Sequence, residues 1–264
     1  RNSHVLRNHV EFLYEKGSIY RVYNGNLLFH GCIPLDENGN LDGIQIGEKF
    51  YCGKEYMDYA QRVARLAFYQ GTRPALDFMW YLWCGKLSPL FGRSAMTTFE
   101  RLYIADPATH EEVKDPYYTW YNEEAACRRI LAEFGLPGTS HIVNGHVPVR
   151  KTKGDTPIKA NGKFINIDGG LSKAYQPVTG ICGYTLVYSS HELYLAEHQP
   201  FDPDTAARES ADVLSRTIMI EQYPDRLRVR DTDGGADVER RIADLKKLLA
   251  AYRSGVVRTP SRME

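Results

Sequence analysis

The order of apolar and polar positions sorts the chain into short strands separated by amphipathic helices. Val5, Leu6, Val10, Phe12 and Leu13 recur at helical spacing between Ser3, a capping residue, and Gly17, a stop, which predicts a helix from Ser3 through about Lys16. Ile19–Tyr23 and Asn26–Phe29 flank Asn24-Gly25, and both residue types tolerate positive φ, so this stretch predicts a hairpin with His30 at its exit. Pro34–Gly53 is rich in turn residues and reads as a loop. Lys54–Gln70 predicts a helix ended by Gly71, and Pro74–Trp83 a second, very apolar one with proline in its first turn. A loop over Gly85–Ser94, a short helix around Thr97–Ile104 and a polar, irregular Pro107–Tyr121 follow. Asn122 is expected to cap a helix through Phe134, stopped by Gly135. Then come a strand at His141–Val143, a Lys/Gly loop to Gly162, a strand at Phe164–Ile167 and a hairpin of Tyr184–Tyr188 with Glu192–Glu197. After Pro200 the pattern turns polar and helical, ending in Val238–Tyr252 with Ile242, Leu245, Leu248 and Leu249 on one face. Helices between strands predict an α/β layered domain, with the helix-rich stretch 54–135 as a cover over a site.

Composition narrows the function classes. A chain of 264 residues can bury a large core without disulfides. Lys plus Arg (33) equals Asp plus Glu (33), which makes no case for a nucleic-acid partner. The five cysteines are scattered, odd in number and without CxxC spacing, which argues against a disulfide framework or a zinc site and predicts a reducing, cytoplasmic setting. No apolar run reaches the roughly 18 residues of a membrane span. The first residue is Arg1, not methionine, and the opening residues already sit inside a helical pattern, so a fragment of a longer protein is expected.

The chemistry gathers at three strand ends. Leu28-Phe29-His30-Gly31-Cys32 and Val143-Asn144-Gly145-His146-Val147 each place a histidine beside a glycine after an apolar run. Phe164-Ile165-Asn166-Ile167-Asp168-Gly169-Gly170 repeats the layout with an aspartate. Imidazole nitrogens are good ligands for zinc, manganese or iron, and small neighbours let backbone or substrate approach. A single His-Gly pair is more often a capped turn residue; two pairs followed by Asn-Ile-Asp-Gly-Gly point to one composite site.

These motifs resemble the C-terminal motifs of the calcineurin-like metallophosphatases. Three longer strings sharpen the resemblance: Val22 through Pro34, Trp83 through Arg93, and Lys159-Ala160-Asn161-Gly162-Lys163-Phe164 leading into Asp168-Gly169-Gly170. Together they resemble the class III fructose-1,6-bisphosphatases, over nearly the whole chain. The resemblance implies the C-terminal part of a layered α-β-β-α fold, with 1–200 in the phosphatase domain, 54–135 its helical insertion and 201–264 a helical extension. It implies a dinuclear manganese site, with water attacking phosphorus in line. His30 and His146 would ligate one metal. Pro148 stands where some relatives carry a second histidine of a Gly-His-x-His motif. Arg93, and in competition Arg101, would hold the phosphoryl group. Arg93 is preferred because a glycine precedes it in a loop. Asp168 invites a reading as a metal ligand, but the resemblance places it near the site and not among the usual ligands, so a structural role or one behind the ligands, like that of Asn144, is preferred. Lys86, Lys151, Lys153 and Lys159 could attract a second phosphate, or simply form a solvated face. Tyr117, Tyr118 and Tyr121 read as packing for the helical cover, and His110, His191 and His198 as surface or packing residues.

Absences complete the reading. The family's N-terminal Asp-x-His, Gly-Asp-x-x-Asp and Gly-Asn-His motifs do not occur; Arg7-Asn8-His9 lies in a helical pattern and lacks the glycine. Two histidines cannot hold a dinuclear centre. The resemblance therefore implies fructose 1,6-bisphosphate hydrolysis by a longer protein, with this chain inactive alone and the missing N-terminal part as its first partner. A homo-oligomer stays open. The alternatives are another metallophosphoesterase, acting on phosphoproteins or dinucleoside polyphosphates, or a non-catalytic subunit.

Overall fold

The computed structural model describes residues 3–170, 172, 176–180, 183–199 and 215–257. These fall into two compact units, 1–185 with 196–216, and 186–195 with 217–264. Cys182 and the stretch 200–214 lie outside the described residues.

The first unit is built on a five-stranded mixed sheet. Its strands are β1 (Tyr20–Tyr23), β2 (Asn26–Phe29), β5 (Ile142–Asn144), β6 (Ile158–Lys159) and β7 (Phe164–Asn166), in the order β1-β2-β5-β7-β6. The outer pairs are antiparallel, while β2, β5 and β7 run parallel. Asn24 and Gly25 both adopt positive φ, which makes the first hairpin the tight turn read from Asn-Gly. Register then decides which side chains share a face. Leu27, Ile142 and Phe164 are aligned, as are Phe29, Asn144 and Asn166. The apolar members of these rows enter the main core with Met57, Tyr117, Cys127, Ile130, Leu131 and Phe134. Tyr121 stacks on Phe164 with ring centroids 4.6 Å apart, and all three tyrosines read as packing, Tyr117, Tyr118 and Tyr121, enter this core or pack against it.

Seven helices are described around and after this sheet in chain order to Thr179. They are α1 (His4–Lys16), α2 (Gly53–Gln70), α3 (Arg73–Cys84), α4 (Thr98–Tyr103), α5 (Tyr117–Trp120), α6 (Glu124–Glu133) and α7 (Gln176–Thr179). Ser3 caps α1 through Leu6, and Gly71 ends α2 in the left-handed conformation that glycine adopts without strain. Rings of Tyr14 and Phe68 stack at 4.2 Å, and the Arg65 guanidinium holds the Gly17 carbonyl, which docks the end of α1 on α2. Helix α1 nevertheless buries none of its residues; Phe12 and Leu13 are more than 60% exposed.

Four local expectations are corrected. The stretch 34–53 contains a hairpin, β3 (Gly43–Ile46) with β4 (Lys49–Cys52), turned at Gly47. Its side chains are mostly half-buried, so the apolar alternation is too weak to stand out among turn residues. Helix α6 is capped at Glu123, not Asn122, whose amide instead turns back to the Thr119 carbonyl. The irregular 107–121 holds a 3-10 turn at Pro107–His110, capped by Asp106, and the short α5. Residues after Pro200 are not all helical: Ser215–Gln222 is a strand, β10, whose Thr217, Ile218 and Ile220 favour β structure.

Strands β8 (Gly183–Tyr188), β9 (Glu192–His198) and β10 form a three-stranded sheet in the order β10-β9-β8. The second unit ends in α8 (Asp233–Arg253), whose Thr232 cap accepts from Gly235 N–H. The Ile242, Leu245, Leu248 and Leu249 stripe forms as read, and each of these residues stays at least 45% exposed.

Candidate active site

The parallel strands β2, β5 and β7 end side by side, and each exit is tied to its neighbour by a buried asparagine. Asn144 closes β5, and its amide nitrogen lies within hydrogen-bond reach of the carbonyls of Phe29 (3.2 Å), His30 (3.1 Å) and Gly31 (3.0 Å). Asn166 closes β7 and does the same one strand over. Its amide donates to the Val147 carbonyl at 2.7 Å, while its own carbonyl accepts from Asp168 N–H. Both side chains are almost fully buried, where an idle amide would be costly. Asn144 was legible from the sequence; Asn166 was missed as a positioning residue. The signal was there: both asparagines follow an apolar pair and precede the turn carrying the ligand-type side chain.

Glycines then let the histidines meet. A Cβ on Gly145 would lie 2.9 Å from His30 Nδ1, and one on Gly31 would strike the Pro89 carbonyl at 2.1 Å. His146 adopts a left-handed backbone with φ 68°, unusual for a side-chain-bearing residue. The two imidazoles sit edge to face, with His146 Nδ1 3.4 Å from His30 Nε2. His146 Nε2 lies 3.3 Å from the Phe91 carbonyl. Donation by Nε2–H to that carbonyl selects the tautomer whose Nδ1 lone pair faces His30. Burial, then the neighbouring His30, holds His146 below the usual histidine range.

Arg93 belongs to this neighbourhood. Its charge bears on His146, as does that of Asp168, in the opposite sense. Its guanidinium pairs with Glu112 at 2.9 Å and remains partly exposed. Asp168 accepts from Gly170 N–H at 2.9 Å, a turn-forming role. Most of the remaining candidates are engaged elsewhere. Arg101 donates to Thr97 Oγ1 at 2.9 Å and to the His110 carbonyl at 2.8 Å. Lys151 pairs with Glu197, and Lys159 with Asp155 at 2.7 Å. Lys153 falls in a 3-10 turn, and Lys86 lies in the turn after α3, its carbonyl accepting from the Tyr81 hydroxyl. His110 faces the carbonyls of Glu100 and Ile104, His191 its neighbour Ser190, and His198 the hydroxyls of Thr185 and Ser215.

Two imidazole nitrogens at this separation can share one cation. Among the described residues, no three His, Cys, Asp or Glu side chains come together as a fuller metal site. A cavity of about 730 Å³ opens beside the pair, lined by Leu13, Leu28, His30, Val143, Ile167 and Asp168 among others.

The family model of the Firmicute fructose-1,6-bisphosphatases matches residues 1–254. The chain belongs to that family. It is 50% identical over 263 residues to the fructose-1,6-bisphosphatase class 3 of Clostridium tetani (strain Massachusetts / E88), covering 97% of this chain and 40% of that protein. The class 3 protein of Clostridium novyi (strain NT) is also 50% identical, over 264 residues with the same coverage. One from Clostridium beijerinckii (strain ATCC 51743 / NCIMB 8052) is 48% identical over 268 residues. The chain thus spans about 40% of the length of these curated relatives. No solved structure matches it. Among the described residues, no helix is long and apolar enough to cross a membrane.

Proposed function

We propose that this chain is the C-terminal part of a metal-dependent fructose-1,6-bisphosphatase. His30 and His146 hold one divalent cation, and Arg93 grips the phosphoryl group being released. The observation that carries this reading is the 3.4 Å separation of His30 Nε2 and His146 Nδ1 at adjacent strand exits. The two ring nitrogens are close enough that both would hold the same ion. Manganese, which favours carboxylate and water oxygens, would complete its shell with such donors beside the two imidazoles. A cation bound there supplies Lewis-acid polarisation of a phosphoryl oxygen and an activated water.

The chain's own residues do the rest. Asn144 fixes the backbone of His30. The Phe91 carbonyl keeps the His146 proton on Nε2. Arg93, a planar fork of donors, neutralises charge on the phosphoryl oxygens and exchanges part of its bond to Glu112 for them. Asp168 adds negative charge near His146. The remaining ligands, the second metal and the proton donor come from residues that the longer relatives carry beyond this stretch. The open cavity beside His30 and the exposed apolar side of α1 are where that part packs, giving the layered metallophosphatase arrangement over 1–200, with 54–135 as cover and 201–264 as extension.

The test is phosphate release from fructose 1,6-bisphosphate with manganese, for this chain alone and for the full-length protein. Turnover by the full-length protein and none by the chain is expected. Turnover by the chain alone overturns its incompleteness. Full-length protein that cleaves phosphoproteins or dinucleoside polyphosphates instead overturns the substrate, and one that cleaves nothing favours a non-catalytic subunit.

A further inference from the structure

Two cations beside Arg93, Lys114 and Arg150, have no role in the reading above. Arg93 and Lys114 face each other across an isolated antiparallel bridge. Hydrogen bonds from Ser94 N–H to the Val113 carbonyl (2.8 Å) and from Asp115 N–H to the Gly92 carbonyl (3.1 Å) fix the bridge on both sides. Residues directly opposite in such a bridge project to the same face, and like charges placed there repel. The fold holds this repulsive pair in place.

A third cation, Arg150, follows Val149, whose N–H donates to the Asp168 carbonyl at 2.8 Å and so ties this segment to the β7 exit. The Lys114 ammonium is held below the usual lysine range by partial burial, then by the charges of Arg93 and Arg150. Asp155 alone pulls the other way, and that carboxylate is already bonded to Lys159. Among the described ion pairs, neither Lys114 nor Arg150 has a carboxylate partner, whereas the neighbouring Lys151 and Lys159 do. Lys114 and Arg150 are exposed, so an incoming anion can reach them.

Lys114 rests on an aromatic ring beneath the patch. The Tyr118 ring lies 5.6 Å from Lys114 Nζ, and its hydroxyl is buried without a hydrogen-bond partner. That hydroxyl lies against Gly92, where a Cβ would come within 2.7 Å of it. Exposed cations without a carboxylate partner are the complement of an anion with several oxygens.

We infer that Lys114 and Arg150 form a second anion subsite, flanking Arg93, for the phosphate of a doubly phosphorylated small molecule that is not cleaved. This rests on the proposed phosphatase reading and locates the group that separates a bisphosphate from a monophosphate. It replaces Lys86, Lys151, Lys153 and Lys159 as the origin of that preference.

The test uses the full-length, manganese-loaded protein with Lys114→Gln, Arg150→Gln and the double variant. The preference for fructose 1,6-bisphosphate over fructose 1-phosphate is read as the ratio of their kcat/KM values. The double variant is expected to lower that ratio roughly 10- to 100-fold, through KM of the bisphosphate, with Lys114→Arg keeping most of it. An unchanged ratio, or a parallel fall for both substrates, overturns the subsite. If the wild type cleaves neither sugar, the phosphatase reading falls on its own. Calorimetric titration of both proteins with the two sugars then still reads the subsite: a preference lost in the double variant supports it, and no preference in the wild type overturns it. Thermal melts serve as the folding control, since removing a like charge from Arg93's neighbour should not lower the midpoint.

Discussion

The strand-exit edge of the five-stranded sheet and the outer faces of α3 and α4 are both rich in large side chains, yet they have opposite fates. At the edge, Phe29 is buried, with Ile142 and Phe164 buried at the other end of the same strands, and the polar residues that end the strands, Asn144 and Asn166, are buried and bonded. On α3, one of the most apolar helices in the chain, only Ala75 and Leu82 are buried, while Trp80 and Trp83 are about 60% exposed and pack edge to face on each other. Phe99 and Tyr103 on α4 are more exposed still. Apolar content alone does not make a core. What separates the two regions is register: three parallel strands align their rows and leave no choice of face, whereas a helix end buries only what happens to meet a neighbour.

The contrast can be broken most strongly from the sheet side. Phe164→Ala should cost about 3–5 kcal/mol, because the Tyr121 ring stacked on it loses its partner and a cavity remains. Chemical denaturation of this chain measures it. Asn144→Ala should cost about 1–3 kcal/mol by stranding buried carbonyls at the β2 exit, and more than Asn166→Ala, whose amide serves fewer of them. Equal losses would mean that the two exits are not locked unequally.

Gly145→Ala sharpens the comparison by touching function with little effect on the core. Its new methyl group displaces the His30 ring, so manganese affinity of the full-length protein should fall roughly 10–100-fold, read by metal titration. Beside the edge, Glu112 is held below the usual glutamate range by the Thr97 backbone N–H first, with its hydroxyl and Arg93 also contributing. A carboxyl lowered in the folded state stabilises above its unfolded value and loses that contribution as pH falls through its folded value. The melting difference between wild type and Glu112→Gln should therefore be largest near neutrality and shrink below about pH 4.3. On the helical side, Trp80→Ser should change stability by no more than about 0.5 kcal/mol. A larger loss in this chain would show that the exposed face carries core energy after all.

The sequence by itself determined the strand exits. Apolar runs ending in Asn-Gly-His or His-Gly are local, and the Asn24-Gly25 turn, the α2 stop at Gly71 and the α8 stripe are equally local signals that packing had no reason to override. Tertiary structure decided three other things. It made a hairpin of the weakly alternating 43–52, because pairing supplies hydrogen bonds that side-chain burial does not announce. It turned His146 into a left-handed conformation that brings its Nδ1 to His30 across 115 intervening residues. And it set Lys114 opposite Arg93, a pairing between segments whose separation along the chain hides it from any motif. Local patterns report which residues end an element. Only the register between distant strands reports which of them face one another.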